Sequence, residues 1–416
     1  MLWVMLAVAV WQPAAGEDTR QGIFYPSFRT LEVTLGSNRY VPPVISLHDA
    51  SDRIVIAFDE LSEQRRYMRY SLTHCDARWQ PEGLVESEFL DGFNEGVVDD
   101  YDYSQATLTH YVHYNIKIPN EHIRITQPGN YLLRVYDESE PEVTLLQARF
   151  GVADFTAGIE MGISSRTDID TNRSHQQLSV TVDIDKLDVK DPFNDLTVVV
   201  GQNGRVDNEV ILSTPQRING SRLIYEHLRP LIFKGGNEYR RFDTASTSYP
   251  GIGVEEITSG NDGYDMVLAT DYPRNDIQYL YDRTQHGRFL VREVSAGNSD
   301  TQADYVRVHF ALEMSELLGK SVFLDGDFTN RRLEPWTRMV YNRSTRRYEN
   351  TLLLKQGAYN YQYLVFPEGG TVGSTAEVEG DFYETSNEYV VRVYHRPRGS
   401  RFDRLVGVSQ LTMDEN

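Results

Sequence analysis

Apolar and polar residues alternate with a period of two along much of this chain. Residues 178–184 (LSVTVDI) show the pattern most clearly, and residues 131–135 and 306–312 repeat it. Because successive side chains of a strand point to opposite faces, each run predicts a strand with one buried and one wetted face. Gly, Pro and Asn separate these runs, as they do at turns between short strands. The chain is therefore expected to be all-β.

Strands of this length and spacing are typical of tandem β-sandwich domains of the immunoglobulin-like or early-set type. A small, polar stretch at residues 296–302 (AGNSDTQ) has the composition of a linker, and another boundary is expected after the strand that ends near residue 152. The predicted segments are a signal peptide at 1–16, sandwiches at 17–152, 153–300 and 301–410, and a tail at 411–416.

The first residues, MLWVMLAVAVWQPAAG, have an apolar core that is too short to cross a bilayer as a helix. Ala14 and Gly16 supply the small residues of a cleavage site, so this segment is interpreted as a secretory signal peptide, although no Lys or Arg precedes the core. Cys75 is the only cysteine, which excludes an internal disulfide. We therefore expect an exported protein that depends on packed cores.

The chain has a net charge of −20 and a pI near 4.9. Nucleic-acid binding requires Lys and Arg concentrated on one face, and an anionic membrane surface attracts basic segments. The composition therefore argues against both as partners.

Catalytic signatures such as HExxH, GxSxG and the glycine-rich phosphate loops are missing from the sequence. Asp168, Asp170 and Asn172 match the opening of a calcium loop, but Arg173 occupies the position of its required glycine. No metal, no cofactor and no small-molecule substrate are expected, and the protein is predicted not to be an enzyme. A carboxylate pair of the glycosidase type stays open, because its spacing exists only in three dimensions.

Residues 228–243 (LRPLIFKGGNEYRRFD) place an apolar strand, a Gly-Gly turn and a charged aromatic strand in succession, which predicts a hairpin. The density of polar and aromatic residues suggests a surface for a partner, and the same combination recurs near residue 402. The predicted partner-binding residues are Gly235, Gly236, Asn237, Glu238, Tyr239, Arg240, Arg241, Phe242 and Asp243, together with Arg401, Phe402 and Asp403. Buried networks at domain junctions are the alternative interpretation.

Residues 322–365 resemble the glycogen-binding modules of starch-active enzymes and their early-set relatives. The resemblance rests on Gly326, Phe328 and Asn330 and on the later Gly-x-Tyr-x-Tyr strand that begins at residue 357. In those modules a stacking Trp follows the Asn, whereas this chain has Arg331, and Trp336 comes five residues later. A glycan-binding surface protein is the main functional alternative, and a periplasmic hydrolase is a third.

A second resemblance extends through most of the chain, to the plug proteins of the bacterial type IX secretion system. Besides residues 228–243, it rests on residues 90–93 (LDGF), 304–308 (DYVRV), 354–357 (LKQG), 384–389 (ETSNEY) and 396–407 (RPRGSRFDRLVG). The resemblance implies a periplasmic protein of Bacteroidota, associated with the outer membrane but peripheral to it. It further implies a partner, the large outer-membrane translocon barrel, which the plug seals when no cargo occupies it.

Overall fold

The structure, a computed structural model, describes residues 18–260 and 263–413. The predicted signal peptide lies outside the described residues. The regular secondary structure of the described chain is almost entirely β-strand, arranged mostly in antiparallel sheets, and this confirms the predicted fold class. The three runs with the clearest alternation are strands, at Gly129–Asp137, His175–Asp183 and Tyr305–Glu313.

The first unit is a sandwich of two sheets that share one core. Met68, Tyr70 and Leu72 show the pattern, because they face this core while the residues between them are partly exposed. The strands are β1 Gly22–Ile23, β2 Phe28–Leu35, β3 Val44–Ser46, β4 Ile54–Glu60, β5 Met68–Cys75, β6 Leu90–Gly92, β7 Gly96–Val97, β8 Asp100–Tyr103, β9 Val112–Ile118, β10 Ile123–Ile125, β11 Gly129–Asp137 and β12 Thr144–Ala153, with the helix α1 at Glu86–Phe89. The sheets have the orders β1-β12-β11-β5-β7, with β3 beside β12, and β2-β4-β9-β8, while β6 pairs with β10.

The second unit begins with a sheet in the order β13-β14-β18-β17, with β19 beside β14. A separate pair, β15 and β16, begins its other sheet. The strands are β13 Gly158–Ser164, β14 His175–Asp183, β15 Leu196–Gln202, β16 Val210–Leu212, β17 Arg217–Asn219, β18 Arg222–Tyr225 and β19 Ile232–Lys234, with a 3-10 turn at Arg229–Leu231.

The third unit has sheets in the orders β20-β28-β23, with β25 beside β28, and β21-β22-β24-β27-β26. The strands are β20 Arg240–Asp243, β21 Val254–Gly260, β22 Gly263–Leu268, β23 Phe289–Val291, β24 Tyr305–Glu313, β25 Lys320–Asp325, β26 Val340–Asn342, β27 Arg347–Lys355 and β28 Gly357–Pro367. The helix α2 lies at Ser299–Gln302, and 3-10 turns lie at Asp327–Thr329 and Pro335–Thr337.

The last two strands, β29 Glu388–His395 and β30 Arg404–Thr412, return to the second unit and complete the sheet β16-β15-β29-β30. The third unit is thus inserted into the second, and it begins at β20 rather than at residue 301. The predicted boundary near residue 300 is corrected accordingly, and β30 runs into the predicted tail. Alternation indicates which residues form strands, but it carries no information on which distant strand becomes the neighbour.

Candidate functional site

The Gly-Gly stretch carries the chain from the second unit to the third. Strand β19 pairs with β14, whereas β20 pairs with β28, so the two flanks do not pair with each other and the predicted hairpin is wrong. A Cβ atom on Gly235 would lie 2.1 Å from the carbonyl oxygen of Phe382, and Gly236 has a φ of 61°. The glycines therefore permit a close approach of two backbone segments, and the second of them also takes up a left-handed conformation.

The segment approached by Gly235 is the return crossing, residues 380–387, which leads back into β29. The Phe382 amide donates to the carbonyl of Gly236 over 2.8 Å, and the Asn237 amide nitrogen donates to the carbonyl of Glu379 over 2.8 Å. Asn387 closes the set with a 2.7 Å bond to the carbonyl of Gly235. The two crossings thus hold each other through main-chain and amide hydrogen bonds.

A buried ion network lies beside the crossings. The Glu379 carboxylate accepts hydrogen bonds from Arg240 at 3.1 Å and from Arg274 at 2.6 Å. Another guanidinium nitrogen of Arg240, Nη1, donates to Asp271 over 2.6 Å. Burial raises the pKa of Glu379, but the two guanidinium charges lower it by more, so the carboxyl pKa lies below its ordinary value. The carboxylate also accepts from the Tyr363 amide at 2.9 Å, which ties the residue that precedes the return crossing to β28.

Most of the residues predicted from 235–243 to contact a partner are enclosed in this junction. Asn237, Glu238, Tyr239 and Phe242 are buried, as is Gly235. The remaining residues, Gly236, Arg240 and Asp243, are partly buried, and Arg241 alone of the nine is exposed. The expectation that the whole stretch forms an open surface is corrected: the buried-junction interpretation fits the geometry.

The second predicted cluster joins the first unit to the second. Asp403 is buried and accepts from the Ala77 amide at 2.8 Å, while its other oxygen accepts from Arg396 at 2.7 Å. The Phe402 ring meets the His74 ring edge-on at 5.4 Å. Arg401 is exposed and pairs with Glu88 at the edge of the contact. This cluster is therefore also a junction, with Arg401 at its rim.

The first and third units meet at a buried cluster that sequence reasoning missed. Asp59 accepts from Lys355 and from the Tyr305 hydroxyl, both at 2.6 Å, and contacts His113 Nδ1 at 2.7 Å. The ammonium group lies 4.2 Å from the ring centre of Tyr111. Burial raises the pKa of Asp59, but Lys355 and His113 outweigh it, so the net pKa is lowered. No spacing in the sequence connects these residues, since they come from four separate strands or strand ends.

The family model "Type 9 secretion system plug protein 1st domain" matches residues 28–154, which is nearly the whole first unit. The chain belongs to the type IX secretion system plug protein family.

A crystal structure of a hypothetical protein from Parabacteroides merdae ATCC 43184 has the same fold as this plug-family chain. It superposes with a TM-score of 0.93 at 38% sequence identity, over 95% of this chain and 99% of that one. The likeness therefore covers all three units, including the insertion. A comparison with curated proteins finds no match.

One long irregular segment of the plug-family protein, residues 269–288, lies between β22 and β23 and carries exposed apolar side chains. Leu280 is 80% exposed, and Ile277 and Tyr281 are also open to solvent. The segment is anchored at the junction, because Tyr279 donates to Glu238 over 2.7 Å. Arg241 reaches it as well, through Asp282 at 2.9 Å. Long ordered loops with exposed apolar residues are typical of binding surfaces.

The position that corresponds to the stacking Trp of glycan-binding modules is part of the junction in this plug-family protein. Arg331 is enclosed and pairs with Asp325 at 2.7 Å, and it donates to the Tyr239 hydroxyl over 3.2 Å. Trp336 is 46% exposed at a separate place, where it lines a groove between the first and third units. The chain therefore departs from the glycan-binding pattern in structure as well as in sequence.

The carboxylates that resemble a calcium loop are engaged with neighbouring side chains. Asp168 accepts from Gln177 at 2.7 Å, and Asp170 contacts His175 Nδ1 at 2.6 Å. Within residues 18–260 and 263–413, no group of three or more His, Cys, Asp or Glu side chains is arranged to hold a metal ion. In the same residues, no helix has the length and apolar character needed to cross a membrane.

Proposed function

We propose that this protein is a non-enzymatic periplasmic plug, which seats against the outer-membrane barrel of the type IX translocon and seals it when no cargo is present. Membership of the plug family supports a role in this system. A pore wide enough for folded cargo would leak without a stopper, so the stopper must be bulky and must keep its shape.

The observation that carries the proposal is that every pair of units is joined by a buried polar network. Asp403 ties the first unit to the second, and Asp59 ties the first to the third. Arg205 and Glu388 of the second unit tie it to Gly373 and Arg288 of the third. Opening any of these contacts would leave buried charges without partners, at a cost of about 3–5 kcal/mol for each pair. The three sandwiches therefore form a stiff block, which suits a reversible stopper better than an enzyme that closes over a substrate.

The surface best suited to the barrel is the exposed loop at residues 269–288. Its apolar side chains Ile277, Leu280 and Tyr281 project from a segment that Tyr279 and Arg274 hold at the junction. A contact made by a few apolar and aromatic side chains on a stiff support is strong enough to seat and weak enough to release. Arg241 and Arg401 are the exposed members of the predicted partner-binding set, and they stay candidates for the rim.

The test is affinity purification of the tagged protein from detergent-solubilised envelopes of its native host. The wild type is expected to recover a very large outer-membrane barrel, and Leu280→Glu is expected to lose most of it while keeping its unfolding temperature. Leu318→Glu changes an equally exposed leucine in another part of the third unit and serves as the matched control. A wild-type protein recovered without any barrel would overturn the plug function, and equal recovery with both variants would overturn only the assignment of the surface.

A further inference from the structure

A groove with a volume of about 680 Å³ lies between the first and third units, away from the loop at 269–288. Its apolar floor is formed by Phe28, Phe289, Phe328, Leu352, Leu354 and Tyr359. The floor is firm, because the Tyr359 ring stacks on Phe289 at 5.4 Å and meets Phe328 edge-on at 5.6 Å. Pockets of this size hold a ligand or several side chains of a partner.

The charges around the groove are all positive. Arg29, Arg332, Arg338 and Lys355 line it, and no Asp or Glu of residues 18–260 and 263–413 does so. This is notable in a chain with a net charge of −20. Lys355 is neutralised by Asp59, but within the same residues no ion pair involves Arg29 or Arg338. The groove therefore presents unneutralised positive charge beside an apolar floor.

Arg332 adds an observation that is independent of the groove's net charge. Its side chain is 9% exposed, and two of its nitrogens donate to Glu334, the closer at 2.6 Å, while one of them also lies 3.5 Å from Asp18. The charge of Arg332 is thus already paired. The third nitrogen, Nη1, is buried without a hydrogen-bond partner in the part of the chain that the structure describes. A buried unpaired guanidinium nitrogen is costly. Because this atom has almost no exposed surface, an acceptor in the groove reaches it only when the Arg332 side chain moves.

The backbone on either side of the groove favours an extended chain as the occupant. Strand β2, which supplies Phe28 and Arg29, is the edge of its sheet, and β26, which supplies Val340, is the edge of another. Edge strands present unpaired amide and carbonyl groups, to which an extended peptide can add. A bulge in β2, with a φ of 54° at Thr30, interrupts the pairing beside Arg29. Such bulges re-aim side chains next to binding sites.

We propose that this groove binds an extended segment of a partner protein in which apolar side chains alternate with carboxylates. The apolar side chains lie on the floor, and the carboxylates meet Arg29, Arg332 and Arg338. The inference concerns the groove alone and stands whether or not the partner is the translocon.

Trp336 supplies the signal for a direct test, because it lines the groove and is half exposed, whereas Trp79 is buried. The other two tryptophans, Trp3 and Trp11, lie in the predicted signal peptide. The purified full chain is titrated with a short capped peptide that alternates Glu with Phe and Leu, and with a matched peptide that has Lys at each Glu position. The acidic peptide is expected to shift the Trp336 emission to the blue and to protect it from acrylamide. Trp336→Phe identifies that signal, and an acidic peptide that binds no tighter than the Lys peptide would overturn the proposal.

The variants test the charge. Arg338 is exposed, so Arg338→Gln and Arg338→Glu should fold normally, and the second is expected to weaken the acidic peptide about tenfold, with Gln between it and the wild type. Arg343→Glu makes the same change on another exposed arginine of the third unit and should leave the affinity unchanged. Equal affinities for Arg338→Glu and the wild type would overturn the proposal. So would a Trp336 response to palmitate without a response to the peptide, because that result would assign the groove to a lipid.

Discussion

Glu379→Gln is the most direct test of the buried ion network that lies beside the two crossings. The substitution keeps the shape of a fully buried side chain but removes the charge that Arg240 and Arg274 share. The hydrogen bond from the Tyr363 amide can persist to the glutamine oxygen. The change therefore isolates the electrostatic part of the network.

Removing one partner of a buried ion pair costs about 3–5 kcal/mol, because the other charge is left unpaired. We expect the lower end, about 3 kcal/mol, for two reasons. Arg240 retains Asp271 at 2.6 Å, and the side chain of Arg274 is 23% exposed and can be hydrated. In calorimetry this corresponds to a decrease of about 6–12 °C in the unfolding temperature of the affected units.

The dependence on pH supplies an internal check. Because the pKa of Glu379 is lowered in the folded protein, its charge stabilises the fold fully above its ordinary value of 4.5, and this contribution is lost as the pH falls through the lowered pKa. The difference between wild type and Glu379→Gln should therefore be constant near neutral pH and shrink in acid. Glu368→Gln, on an exposed turn, is the control and should change stability by less than about 0.5 kcal/mol. A Glu379→Gln protein as stable as this control at pH 7 would refute the reasoning.

Three further outcomes are expected. Lys355→Met should lower the free energy of unfolding, measured by urea titration, by about 3–5 kcal/mol. Adding Asp59→Asn should recover part of this loss. A double variant whose loss equals the sum of the two single losses would contradict the pairing. Gly235→Ala should lower the free energy of unfolding by more than about 1 kcal/mol, because its methyl group would clash with the Phe382 carbonyl oxygen. Gly260→Ala is the control, because its methyl group would meet no atom within 4 Å. Similar unfolding temperatures for the two variants would refute the close approach. Burial, together with neighbouring arginines, lowers the pKa of His286 from 6.5 to about 4. As the pH falls from 6.5 to 4, the unfolded chain therefore takes up a proton that the folded protein does not, and thermal stability should fall. This part of the fall should disappear in His286→Asn.

The strands could be predicted from the sequence, but the assignment of strands to units could not. Residues 178–184 and 306–312 show their period locally, so a single sequence is enough to identify them. The pairing of β15 with β29 is decided by packing between segments that are far apart in the chain. For that reason the linker-like composition at residues 296–302 does not mark a domain boundary; these residues lie within the inserted unit, as α2 and the residues before it.

The candidate site shows the same division. The sequence singled out Arg240 and Asp403 as unusual, but whether such residues face solvent depends on what covers them. Glu379 and Asp271 enclose Arg240, and the neighbourhood of Ala77 encloses Asp403. The loop at 269–288 could have been noticed, because its length without periodicity is a recognised sign of a binding loop.

The insertion also bears on how the protein matures after export. Strand β15 pairs with β29, where Leu196 lies opposite His395, so the second unit stays incomplete until almost the whole chain has been synthesised. The first unit, by contrast, has all its strands by Ala153. Until then the valines of β15 lack the cover of β29, and such an exposed edge attracts other chains. Pairings across so long a stretch of chain form slowly. A folding helper would therefore be needed most at the second unit, which begins before the third unit but is completed after it.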